Sequence, residues 1–209
     1  MSLPSLVVID DFLADPHAAR RSALGLTYNP ANKRGNYPGI TSDDALDVAA
    51  LNDQLSHFVG VPVAGDPNTL HGHCRITQKA DKGATGVHID PADYSGILYL
   101  SEAAQDRSGT SFFRHKPTGL ERIPTTPIAL AKSGFTDINA AVEQVVNRDT
   151  NKPARWEKVM TVPMRFNRLI LFSPWMFHDA GPGFGKTPEE ARLVMLLFLK
   201  KQRKQKGQG

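Results

Sequence analysis

From residue 70 to residue 199 the chain is cut into short apolar runs: LHGHCRITQ, SGILYLSE, GTSFFRH, RWEKVMTVPM, NRLILFSP and RLVMLLFL. Each has the length of a strand, is rich in aliphatic, aromatic and β-branched residues, and is bounded by Gly, Pro, Asp or Asn. Such a succession predicts a β-sandwich or small barrel with helices packed outside it. The helices are expected at the front. SLVVIDDFL reads as a buried strand, and in DPHAARRSALGL Asp15 is placed to cap a helix whose first turn holds Pro16. Residues 28–42, rich in Asn, Gly and Pro, read as a loop. Ser42 or Asp43 would then cap a second helix over DDALDVAALNDQLSHFVG, ending at Gly60. Residues 115–153 interrupt the strands: TDINAAVEQVVNRD has helical character within a loop-like insertion, and insertions of that length are commonly lids or binding loops.

With 209 residues the chain is long enough for one well-buried core and short of two typical domains. The expectation is a single domain over residues 1–199, with two N-terminal helices, a β core over about 70–199 and a flexible basic tail over 200–209. The lone Cys74 rules out an internal disulfide. No apolar run approaches the length that crosses a bilayer, and MSLPSLVVIDDFL has none of the marks of a secretion leader, so a cytoplasmic protein without a membrane partner is expected. The formal charge of +4 lies largely in KKQRKQK, residues 200–206, with the remainder near balance. That tail reads as a solvated element, and no platform of interleaved aromatic and basic residues argues for a nucleic-acid partner.

Two stretches carry candidate chemistry. In GVHIDPADYSGILYL, residues 86–100, His88 and Asp90 stand two apart, so in extended backbone both side chains point to one face and can offer a nitrogen and an oxygen to one ion. The same pair also suits a capped turn in which Asp90 bonds backbone N–H groups ahead of Pro91. In NRLILFSPWMFHDAGPGFGKTPEEARLVMLLFL, residues 167–199, a buried strand leads to His178, and a second begins at Arg192. An arginine drawn into so apolar a strand needs an anion to offset desolvation; alternatively it lies just outside the core and pairs with Glu189 or Glu190. Two histidines and a carboxylate form the set for a facial triad, which leaves positions on Fe(II) for a chelating cosubstrate and O2.

The order His88-Ile89-Asp90, Tyr99-Leu100, Gly109-Thr110, Asn167-Arg168 leading to His178, then Arg192, resembles the Fe(II)- and 2-oxoglutarate-dependent oxygenase superfamily. It is most similar to the prolyl-hydroxylase-like branch and to small bacterial members of unassigned function. The resemblance spans about residues 70–199 and implies a mostly β fold with flanking helices around a double-stranded β-helix (jelly-roll, cupin-like) core. It further implies that His88, Asp90 and His178 bind iron as the catalytic set, that Arg192 pairs with the far carboxylate of 2-oxoglutarate, and that Tyr99 donates a second hydrogen bond to it. The chain departs from the usual pattern in a longer hairpin through GPGFGKTPEE and in Val194, where a hydroxyl residue is common.

The activity so implied is a dioxygenase that hydroxylates a small molecule or amino-acid-like substrate, in preference to a protein or peptide. Because Asp90 is present, a halide has no vacated position on the metal. The rival from another class is a non-catalytic jelly roll that binds a carboxylate or carbohydrate, in which His178 would not converge on His88 and Asp90. A zinc hydrolase would need a general base that no helix motif supplies. Substrate contacts are expected from insertion 115–153 and from the loop holding Asn32, Lys33, Arg34, Tyr37, Pro38 and Gly39. Arg75 and Gln78 are placed to face the cosubstrate, Asp179 to support His178 or form a turn, and His115 is expected to be exposed. His71 and His73 lack a carboxylate at matching spacing for a second metal site.

Overall fold

β10, Arg192–Lys201, explains why the last apolar run shows no alternation. It is central in an antiparallel sheet ordered β1-β8-β5-β10-β4-β2, and its far end also pairs β3. The partners are β1 (Leu6–Ile9), β2 (Ile40–Ala45), β3 (Val63–Gly65), β4 (His73–Thr77), β5 (Tyr94–Tyr99) and β8 (Leu169–Phe172). Leu193, Met195, Leu197 and Leu199 face one side, against the helices α1 (Pro16–Leu24) and α2 (Asn52–Val59), with Ala23, Leu55 and Val59 in the same cluster. Val194, Leu196 and Phe198 face the other side, where they meet Phe112 and Val162 from a second sheet. That sheet is β7-β6-β9, built from β6 (Thr110–His115), β7 (Trp156–Val162) and β9 (His178–Ala180). A strand covered on both faces buries every residue, so its two-residue period is hidden in composition. The computed structural model describes residues 4–32, 37–83, 85–103 and 108–202, and the fold is a double-stranded β-helix, or jelly roll, with flanking helices. Among the described residues no helix is long and apolar enough to cross a membrane.

The first helix starts as its sequence predicts: the Asp15 side chain accepts from Ala18 N, and Pro16 opens the first turn. The second ends as predicted, at Gly60 with φ +76°, a left-handed cap that glycine enters without strain. Its start is a correction. Ile40–Ala45 is strand β2, not a helix begun at Ser42 or Asp43, and α2 starts at Asn52 after a short turn at Ala49–Leu51. The exposed edge of β4 decides this: the Ser42 hydroxyl accepts from Cys74 N, Ser42 O meets His73 Nδ1, and Thr41 and Ser42 are buried there. The tail is also corrected in part. Lys200 and Lys201 pair with Ala64 and Val63 as the end of β10, and Lys200 Nζ lies 2.8 Å from Asp66. Residues 203–209 of the expected tail lie outside the described residues.

The insertion is more ordered than its sequence implies. It contains α3 (Pro127–Lys132, capped by Thr126) and α4 (Ile138–Ala141, capped by Asp137), and α4 widens into a π-helical turn over Val142–Asn147. Ile123, Leu130, Phe135, Ala141, Val145 and Val146 pack with Val87, Trp156 and Phe177 into a core of their own. His115 is not exposed. It is fully buried, with Nε2 3.0 Å from Asp149 Oδ2, Nδ1 2.9 Å from Thr118 Oγ1, and its ring 4.8 Å from that of Trp156.

Asp149 ties the insertion to the barrel. Its carboxylate also meets Lys152 Nζ at 3.0 Å, and its carbonyl accepts from Trp156 Nε1. Burial raises its pKa, but the bonds from His115 and Lys152 and the charge of Arg148 outweigh that and hold it at about 2. A depressed carboxyl stabilises the fold above its unfolded pKa and loses that contribution as pH falls through the folded value. Allowing for screening around its half-exposed cations, Asp149 contributes about 1–2 kcal/mol at neutral pH. Urea titrations are expected to find Asp149→Asn less stable by about that amount at pH 7, with the deficit shrinking as pH drops from 4 toward 2. A deficit independent of pH would contradict the electrostatic account.

Candidate metal centre

His88 and His178 are brought together by their own backbones. His88 N donates to His178 O at 2.9 Å and His178 N to His88 O at 3.0 Å, an antiparallel bridge that places the two rings 4.3 Å apart. Asp90 N donates to Pro174 O, which continues the contact between the same two segments. The predicted same-face placement therefore holds: Asp90 Oδ1 is 3.7 Å from His88 Nε2, and Oδ2 is 3.2 Å from His178 Nε2. One ligand atom from each of His88, Asp90 and His178 lies within 4.8 Å of the others, and among the described residues this is the one cluster so arranged. The capped-turn alternative for Asp90 is not what forms.

The surrounding bonds orient all three groups. His88 Nδ1 lies 2.9 Å from Gly86 O and His178 Nδ1 2.8 Å from Met176 O. A carbonyl only accepts, so each Nδ1 carries the proton and each Nε2 lone pair faces Asp90 in the neutral ring. Ser95 Oγ donates to Asp90 Oδ2 at 2.6 Å. Burial, aided by the charge of His178, pushes the His88 pKa down to about 4. Burial would also raise Asp90 and lower His178, but their mutual attraction dominates, holding Asp90 well below the usual carboxylate range and His178 above its ordinary value. Once His178 gives up the proton it shares with Asp90, two imidazole nitrogens and one carboxylate, held by carbonyl and hydroxyl partners, are a donor set that fits a divalent transition metal.

Behind the triad is a chamber of about 90 Å³, lined on one side by His88, Asp90 and His178 and further in by Arg75, Thr77, Thr110, Arg192 and Val194. Arg192 is 2 % exposed and donates from Nε to Ser108 O at 3.0 Å. Among the described residues no carboxylate lies within 4 Å of it; strand alternation turns it inward, away from the exposed Glu189 and Glu190. Burial pushes its pKa down, opposed by Tyr99 and Asp179. Tyr99 is fully buried but does not line the chamber. Its hydroxyl is 2.8 Å from Thr110 Oγ1, and Thr110 stands at the wall in its place.

Other candidates divide cleanly. Tyr37 and Pro38 line the chamber, and the Tyr37 ring is 4.5 Å from that of His88. Gly39, φ +90°, makes that approach possible, since a Cβ there would overlap the Ile76 carbonyl. Lys33 and Arg34 of the same loop lie outside the described residues. Arg75 faces the chamber; Gln78 does not, and bonds Lys186 O near the surface. Asp179, on β9 beside His178, is pushed up to about 6 by burial. His71 accepts from Phe198 N, and His73 meets Ser42 O. Ser95 and Trp175 were not singled out from sequence, and Thr110 stands out there only as part of Gly109-Thr110, without a role in the site, although Ser95 shares a strand face with Ile97 and Tyr99 and was to that extent legible.

No curated protein matches the chain. A family profile described as a family of unknown function matches residues 3–199. The chain belongs to DUF6445. In this DUF6445 chain His88 and Asp90 also line an outer cleft of about 740 Å³, walled by Ile138, Val142, Glu143 and Val146 of the insertion and by Trp175. Solved structures share the fold of this chain. HygX from Streptomyces hygroscopicus, crystallised with nickel and 2-oxoglutarate, is 13 % identical with a TM-score of 0.52, covering 93 % of this chain and 82 % of its own. The non-heme α-ketoglutarate-dependent epimerase SnoN from nogalamycin biosynthesis is 14 % identical with a TM-score of 0.52, covering 93 % and 78 %. The carbocyclase SnoK from the same biosynthesis is 12 % identical with a TM-score of 0.50, covering 93 % and 79 %.

Proposed function

We propose that this protein is an Fe(II)- and 2-oxoglutarate-dependent dioxygenase that hydroxylates a small molecule or an amino-acid-like substrate. The observation that carries the reading is the placement of a buried arginine, Arg192, which has no carboxylate partner among the described residues, in the same chamber as the converged His88, Asp90 and His178. A metal donor set and a cation with no carboxylate partner among the described residues, both lining one small chamber, suit a dicarboxylate that chelates through one end. The non-catalytic rival expects His178 apart from the pair, which is the opposite of the geometry found. HygX holds nickel, 2-oxoglutarate and hygromycin B in its crystals, which supports both the cosubstrate and a small-molecule substrate. SnoN and SnoK are an epimerase and a carbocyclase, and Asp90 argues for hydroxylation only over halogenation, because it leaves a halide no vacated position on the metal.

His88, Asp90 and His178 would hold the iron, which with 2-oxoglutarate supplies oxidation of a C–H bond by O2, giving the alcohol, succinate and CO2. The protein's part is orientation and exclusion of water. Gly86 O and Met176 O fix both rings with Nε2 toward the site, and Ser95 fixes the carboxylate. Arg192 would take the far carboxylate, with Tyr99 acting through Thr110 at the wall. The substrate would enter from the outer cleft, where Trp175, Ile138 and Val142 present an apolar surface beside the triad. Anaerobic addition of Fe(II) and then 2-oxoglutarate is expected to produce the weak visible absorption of the chelate, saturating with the acid. Its absence at saturating concentrations would return the chain to the class of jelly rolls that bind carboxylates or carbohydrates without catalysis.

A further inference from the structure

Two arginines reach the chamber, and the reading above employs one. We propose that Arg75 is a second carboxylate-binding residue, holding the keto-acid end of the cosubstrate beside the metal triad while Arg192 holds the far end. This rests on the oxygenase reading and assigns it a cation at the near end.

Register separates the two arginines. On the inner face of β10 the series Arg192, Val194, Leu196, Phe198 runs toward the triad, because Phe198 pairs with Ser95 and Ser95 bonds Asp90. Arg192 pairs with Thr77 and Arg75 with Val194, so Arg75 lies one layer, about 7 Å of strand, closer to the metal donors. Its guanidinium is aimed the same way. The Arg75 Cζ stands 5.0 Å from the Tyr37 ring, and that ring is 4.5 Å from His88. Arg75 feels Tyr37 and Arg192 first and then Asp90, and His88 feels Arg75, whereas Arg192 feels Tyr99 and Asp179 but neither Asp90 nor His88.

The group is also poised to bind. Arg75 Nε donates to Thr41 Oγ1 at 3.0 Å, which fixes the plane of the fork. Among the described residues its two terminal nitrogens donate no hydrogen bond, and no carboxylate lies within 4 Å. Burial lowers its pKa to about 10, which leaves it a cation at neutral pH. Arg75 is half-buried, and a guanidinium that is partly desolvated with its terminal donors free among the described residues suits an anion. Arg75 lines the inner chamber and not the outer cleft, so that anion is the chamber's ligand and not the substrate in the cleft.

The test compares 2-oxoglutarate with 2-oxopentanoate, which keeps the keto-acid end and lacks the far carboxylate. Affinities are measured by calorimetry on Mn(II)-loaded protein without O2. Arg75→Met is expected to weaken both acids by the same factor, about 10–100-fold, with Mn(II) affinity in the absence of acid unchanged. Arg192→Met is expected to weaken 2-oxoglutarate alone. Arg75→Lys keeps the charge and loses the fork, and should weaken both acids equally but less, which preserves the comparison if the methionine variant fails to fold. Unchanged 2-oxopentanoate affinity in the Arg75 variants overturns the proposal, whatever happens to 2-oxoglutarate. Wild-type protein that binds Mn(II) but neither acid overturns the oxygenase reading itself.

Discussion

His178→Ala is expected to abolish Fe(II) binding, with a loss well beyond the roughly 10–100-fold that removing an outer partner of a metal ligand costs. Two effects add. The variant lacks one of three donors, and Asp90 loses the neighbour that holds its proton off. Burial would then raise the Asp90 pKa, and a protonated carboxyl is a poor ligand. The fold should survive, because the bridge between the two segments is made by main-chain atoms of His88 and His178 and needs no imidazole. Competition against a coloured chelator would measure the loss. His115→Ala supplies the contrast: it removes a buried histidine that pairs with Asp149 and is not in the ligand cluster, so it should lower stability and leave Fe(II) affinity within a few-fold of wild type. Retention of tight Fe(II) binding by His178→Ala would remove it from the ligand set.

What could be read in advance follows from the range of the forces involved. β10 was legible as a strand because seven successive apolar residues between an arginine and two lysines fit a sheet covered on both faces. α1 was legible because Asp15 and Pro16 act within one turn. β2 was misread because Ser42 and Asp43 satisfy a helix start locally, whereas the edge of β4 that captures Ser42 lies some thirty residues away in sequence. His115 was misplaced for the same reason: the carboxylate that makes its burial tolerable is Asp149, beyond two helices. β9, three residues long, has no period to detect. In the site, His88, Asp90, His178 and Arg192 stood out as residue types in a known order, but their mutual distances depend on a backbone bridge that neither stretch encodes alone. Tyr37 reaches the triad only because a left-handed Gly39 lets the loop lie on β4, a contact no local pattern announces.

Arg192→Met is expected to separate stability from binding. In the folded chain Arg192 is a desolvated cation with one hydrogen bond, to Ser108 O, and no carboxylate within 4 Å among the described residues. Replacing it with a side chain of similar length removes a desolvation penalty and leaves one carbonyl without its donor, terms of about 1–3 kcal/mol each that oppose one another. The thermal midpoint without added ligand should therefore be unchanged or higher. Binding should move the other way, since loss of a charge-paired anchor costs about 2–5 kcal/mol, or roughly 30- to several-thousand-fold in 2-oxoglutarate affinity. Because a ligand stabilises only the state it binds, the rise in midpoint produced by millimolar 2-oxoglutarate on metal-loaded wild type should disappear in the variant. A residue kept for packing predicts the reverse pattern, a lower midpoint with the ligand-induced rise intact. Scanning both proteins with and without the acid distinguishes a structural arginine from one whose burial is tolerated because an anion completes it.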